Sequence, residues 1–132
     1  MKKGETGPRG PSNAFTRQRD GFANAPYTYS LNLKAGKYVL VARATGVNGS
    51  ANPANNANCQ LDAGDGVNGE YSYMYIGPAY NNNASEQSIT LVSPANLDQD
   101  GTATITCQGP GVGFGRFSIA AIEVANVSSV RD

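Results

Sequence analysis

The chain of 132 residues contains no histidine, and that absence excludes more chemistry than any other feature. Without an imidazole there is no Ser-His-Asp or Cys-His nucleophile, no histidine acid–base catalysis and none of the usual catalytic zinc sites. Neither a Gly-x-Ser-x-Gly elbow nor a Walker A loop occurs. Glu70, Glu86 and Glu123 are spaced so that nothing brings two of them together as a glycosidase requires. Long apolar runs are missing too, so no membrane insertion is expected. Charged residues make up only 15% of the chain, against 16 glycines and 7 prolines, and no segment sustains a helical period. A turn-rich, non-enzymatic β protein with neither cofactor nor metal is expected.

Cysteine is nearly absent as well. Cys59 and Cys107 both fall on apolar phases of β-prone runs, where a disulfide or two packed thiols would fit. Met1-Lys2-Lys3 is followed by Gly-Glu-Thr-Gly-Pro where a secretion signal would be apolar. Cytoplasmic synthesis is therefore expected, and it favours reduced, packed thiols.

Net charge is zero, but its distribution is uneven. Residues 1–19 carry Lys2, Lys3, Arg9, Arg17 and Arg19 against Glu5 alone, and the remainder is correspondingly acidic. A basic arm suits an acidic protein surface or nucleic acid. Zinc ligands, a helix-turn-helix pattern and a basic stripe across the domain are all lacking, so no nucleic-acid partner is expected. Arg9, Arg17 and Arg19 are the expected docking contacts.

What is present begins with Gly4, Gly7 and Gly10, spaced every third residue, with Pro8 and Pro11 each directly after a glycine. Three polyproline-II chains wind so closely that only glycine fits at their axis, which makes this the spacing of a collagen-like trimer arm. A flexible Gly/Pro-rich tail is the alternative. Nine residues reach roughly 28 Å in that conformation, too little to hold three chains. A trimeric domain beside the arm is needed to concentrate them.

From residue 20 onward, short β-prone runs alternate with turn residues. A first short strand is expected at 13–17. Further strands are expected at 27–33, 38–47, 57–62, 71–76, 87–92 and 102–107, and a last one at 116–127. The run Tyr38-Val39-Leu40-Val41 is apolar on both faces, which places its strand centrally in a sheet covered on both sides. Phe117, Ile119 and Ala121 share one phase while Ile122 and Val124 share the other, so a bulge is expected near 121–122. Gly109 to Gly115 reads as a flexible loop with Phe114 as an anchor. The expected fold is all-β, a single antiparallel sandwich of about eight strands, jelly-roll-like. It comprises an extended arm at 1–19 and a sandwich domain at 20–132.

Two segments invite functional readings. Oxygen-bearing side chains around the glycines of 62–70 suit Ca²⁺. The spacing is not that of an EF-hand, however, and Asn68-Gly69 is equally a hairpin turn. Tyr71, Tyr73 and Tyr75 share one strand face, suited to a trimer interface, a sugar-stacking surface or the outer margin of the core. The asparagine-rich loops at 48–58 and 81–83 are polar enough to contact a ligand.

Four segments together resemble small bacterial and bacteriophage β-sandwich domains that follow collagen-like tracts. They are Leu33-Lys34-Ala35-Gly36-Lys37-Tyr38-Val39-Leu40, Cys59-Gln60-Leu61-Asp62-Ala63-Gly64, Gly101-Thr102-Ala103-Thr104-Ile105-Thr106-Cys107 and Ile119-Ala120-Ala121-Ile122-Glu123-Val124. Those domains look like distant relatives of the complement and tumour-necrosis-factor jelly rolls, which are trimers. The resemblance covers roughly residues 27–127 and carries no catalytic motif. It implies a homotrimeric bacteriophage virion protein, such as a capsid decoration, head fibre or tail-associated spike. The arm would bind another virion protein and the sandwich would project outward. The alternatives are the trimerisation domain of a collagen-like protein on a bacterial cell surface, or a module binding a cell-surface glycan or receptor.

Overall fold

The computed structural model describes residues 13–128 and residue 130. Period-two alternation of apolar and polar residues dictates strands, and eight form among the described residues: β1 (Ala14–Asn24), β2 (Tyr27–Leu33), β3 (Gly36–Asn48), β4 (Ala54–Asp62), β5 (Gly69–Ile76), β6 (Ser85–Leu97), β7 (Gly101–Gln108) and β8 (Val112–Glu123). They build two antiparallel four-stranded sheets. Sheet A has the order β1-β8-β3-β6 and sheet B the order β2-β7-β4-β5. The pairings nest, with β1 against β8, β2 against β7, β3 against β6 and β4 against β5. Every connection except β4–β5 therefore crosses from one sheet to the other.

The core lies between the sheets. Leu40, Ala42, Phe117 and Ile119 from sheet A meet Cys59, Leu61, Ile105 and Cys107 from sheet B, none more than 1% exposed. Each large apolar side chain buried this way is worth about 1.5–3 kcal/mol before entropy is charged. Buried polar groups are paired. The Asn48 amide donates to the Asn52 and Gly77 carbonyls at 2.8 and 3.0 Å, and its oxygen accepts the Ser50 N–H at 3.0 Å.

Several expectations need correction. Cys59 and Cys107 lie opposite each other in the β4–β7 register and form a disulfide, not two packed thiols. Their Cα atoms are 4.1 Å apart, the close approach of directly facing antiparallel residues. The segment expected to be a loop at 109–115 starts β8 at Val112, and Phe114 is fully buried. The phase change in β8 is real but comes earlier than expected. Phe114 and Phe117 both point inward, and β8 carries an extra residue relative to β3 around Arg116, whose φ is +49°. Ile122 consequently stays in the outward phase, 42% exposed. Lastly, β1 starts at Ala14, so the expected arm–sandwich boundary at 19/20 falls within a strand paired to β8.

Candidate functional site

Gly4, Gly7, Pro8, Arg9, Gly10 and Pro11 lie outside the described residues. Arg17 and Arg19 sit on β1 opposite Ile119 and Phe117, in the phase that faces sheet B. The Arg17 guanidinium lies 4.7 Å from the Tyr29 ring centroid and donates to the Ser30 carbonyl at 2.7 Å. The Arg19 guanidinium lies 4.9 Å from the Tyr27 ring centroid and hydrogen-bonds its hydroxyl. Those rings in turn pack on Phe117, Tyr27 at 5.0 Å and Tyr29 at 5.6 Å between centroids. Both arginines therefore have work within the chain, closing the β1–β2 margin of the sandwich by cation–π contact.

The outer surface of sheet A is apolar at its centre. Strand register aligns Ile122, Val39 and Pro94 in one row and Ala120, Val41 and Val92 in the next. Val92 is 53% exposed, while Val39, Val41 and Ala120 are half-buried only because they flank one another. Polar rows bound this patch, with Lys37 and Asn96 at one end and Ser118, Arg43 and Thr90 at the other. The expectation that β3 is central holds, since it lies between β8 and β6. Among the described residues nothing covers its outer side.

The outer surface of sheet B is different in kind. Thr28, Thr106, Gln60 and Tyr71 form one row across all four strands, and Ser30, Thr104 and Asp62 align in the next. Hydroxyl pairs link the strands, Thr28 with Thr106 and Ser30 with Thr104, each at 3.1 Å. No strand of sheet B contains a lysine or arginine. Tyr71, Tyr73 and Tyr75 stand on the outward side of the edge strand β5, at 49, 64 and 59% exposure. Tyr71 and Tyr73 meet edge to face, with centroids 5.2 Å apart. The hydrogen bond with Tyr73 raises the Tyr71 hydroxyl pKa above the usual phenol value. The tyrosines are therefore not the margin of the core.

The β4–β5 loop overhangs this surface. Its form comes from Asp65, whose carboxylate accepts the Val67 and Asn68 N–H groups at 2.9 and 2.8 Å and the Asn68 amide at 2.7 Å. A fourth donor, the Asn96 N–H, reaches it from β6 at 3.0 Å. Burial pushes the Asp65 carboxyl pKa up, but these donors outweigh it and bring the value down to about 2. The loop acid is thus spent on internal donors, and among the described residues no three His, Cys, Asp or Glu groups converge as metal ligands. Asn68-Gly69 is not a two-residue turn, because the loop runs from 63 to 68 and is turned by Gly64 and Gly66 at positive φ. Between the loop and the sheet is an open depression of about 550 Å³, lined by Gln60, Asp62, Asn68, Glu70 and Tyr71 among others.

The sequence reading singled out the tyrosines but missed what lies beside them. The signal was available, since the outward phases of β2, β4 and β7 are almost wholly Thr, Ser, Asn and Gln. Only the sheet order shows that these strands are neighbours. Comparison with family models, curated proteins and solved structures finds no match, and what the structure supports of the expected resemblance is the all-β architecture of two antiparallel sheets.

Proposed function

We propose that this chain is a non-enzymatic structural protein that self-associates as a trimer on a bacteriophage virion, with the N-terminal arm attached to the particle and the sandwich projecting outward. The observation that carries the self-association is the rimmed apolar patch on sheet A around Val41 and Val92. An exposed aliphatic centre with a polar rim has the anatomy of a subunit contact. Threefold order comes from the Gly4, Gly7, Gly10 spacing, since a collagen-like segment needs three chains. In a closed threefold ring each copy offers the patch to one neighbour. Two further features favour a particle surface. The strand order is that of a jelly roll, the architecture of many capsid and lectin domains. A core disulfide suits virion and cell surfaces, where such bonds persist.

Deleting residues 1–12 tests the division of labour and leaves β1 whole. The shortened protein should keep its oligomeric mass and no longer sediment with particles. Attachment without those residues would refute the arm's role.

A further inference from the structure

We infer that the self-contact is heterologous: the tyrosine-bearing edge strand β5 of one copy seats on the aliphatic patch of sheet A of the next. The inference rests on the self-association proposed above and names the surface that meets the patch.

Symmetry narrows the choice first. A patch set on its own copy makes a twofold contact that closes at two chains, so a threefold ring needs a second, different surface on each chain. Patch on patch also gathers two sets of Lys37 and Arg43 into one interface, since both residues border the aliphatic rows. Among the described residues neither cation is in an ion pair. Like charges brought together there oppose association.

The tyrosines are the surface that fits. Tyr71, Tyr73 and Tyr75 form the longest run of exposed rings among the described residues. The two exposed phenylalanines already have partners, Phe15 in the Tyr38 ring and Phe22 in the Arg116 guanidinium. Alternate residues on a strand repeat at roughly 6.7 Å, so the three rings have the spacing of three successive rows on sheet A. Those rows are the two aliphatic ones and the polar row of Ser118, Arg43 and Thr90. Laid along the strands of sheet A, two rings cover Val39, Val41 and Val92, and the third lies against the Arg43 guanidinium as a cation–π contact. No strand of sheet B contains a lysine or arginine to repel Arg43.

The place of the tyrosines also lets a ring close. The outer faces of a sandwich point in opposite directions, so sheet B laid flat on a neighbour's sheet A stacks copies into an open filament. β5 is the last strand of its sheet, and an edge set on a face turns each copy against the one before, as closure requires. The rest of the outer surface of sheet B is linked by hydroxyl pairs and lacks the apolar anchors of an interface centre.

The test uses the full chain, with sedimentation velocity for mass and circular dichroism for folding. Tyr73→Arg puts a charge at the middle of the stripe and should dissociate the trimer as Val92→Arg does, with the β spectrum unchanged. Tyr73→Phe, which keeps the ring, should keep the trimer. Arg43→Ala should raise the dissociation constant by about threefold to tenfold. Cross-linking with a short bis-maleimide reads the contact directly, because the native cysteines are held in a disulfide. Tyr73→Cys and Val92→Cys in the same chain should give covalent trimers, and either change alone no cross-linked product. A trimer indifferent to Tyr73→Arg would overturn the contact and leave self-association standing. Covalent dimers from Val92→Cys alone, the mark of patch on patch, would do the same. A chain that is monomeric at every concentration would overturn self-association and this contact together, so the two failures are told apart.

Discussion

Asp65 accepts the backbone N–H of Asn96 at 3.0 Å and so joins the β4–β5 loop to the end of β6 across 31 residues of sequence. Because its folded-state pKa is depressed to about 2, the ionised form stabilises the fold above the ordinary carboxyl pKa. That contribution is lost as pH falls from there through about 2. Screened by solvent at this half-buried site, it is worth about 1 kcal/mol. Thermal melts between pH 6 and pH 2 should show a steeper decline for the native chain than for Asp65→Asn. Parallel curves would contradict this assignment.

The disulfide closes a loop of 48 residues, which in the chain-entropy account is worth about 4 kcal/mol. Reduction, or the double change Cys59→Ala and Cys107→Ala, should lower the urea midpoint without altering the strand content seen by circular dichroism. Thiol titration of the unreduced, denatured chain should find no free thiol. Two titratable thiols would restore the reading of packed cysteines.

Gly46 lies within β3, where it faces Ile76 and Met74 of β5 in the other sheet. A Cβ there would come within 2.7 Å of the Ile76 Cδ1 and 3.1 Å of the Met74 Sδ and a Phe114 ring carbon. Gly46→Ala should therefore destabilise by about 1–3 kcal/mol through overpacking, measured as a lower denaturant midpoint. A neutral result would mean that the side chains of β5 give way easily.

The sheet A patch makes a separate prediction. Val92→Arg and Ile122→Arg alter half-exposed residues, so each variant should fold with a melting temperature near that of its own monomer. Either one should weaken self-association by placing a charge where an aliphatic contact is expected. Sedimentation velocity separates the two effects.

Much of this was legible in the residues, and the misses have physical causes. Strand β2 at 27–33 could be read in full because Tyr29 and Leu33 alternate cleanly with Ser30 and Asn32. Strand β8 could not, because Gly113 and Gly115 resemble a loop until Phe114 is seen filling the core. The sequence points to a bulge near 121–122 because an outward Ile122 looks like an error when its row partners Val39 and Pro94 are not known to be neighbours. Tertiary pairing made that row, and no local pattern encodes it. Arg17 and Arg19 looked like free cations for the same reason, since Tyr29 and Tyr27 reach them only after the chain reverses at Ala25–Pro26. The tyrosine stripe was visible, but not the surface of hydroxyls beside it, which requires the order β2-β7-β4-β5.

Multi-angle light scattering of the full chain tests the central claim most directly. The account predicts a mass three times that of the 13.7 kDa chain, retained on dilution into the micromolar range and lost in Val92→Arg. A mass of one chain at every concentration would contradict it.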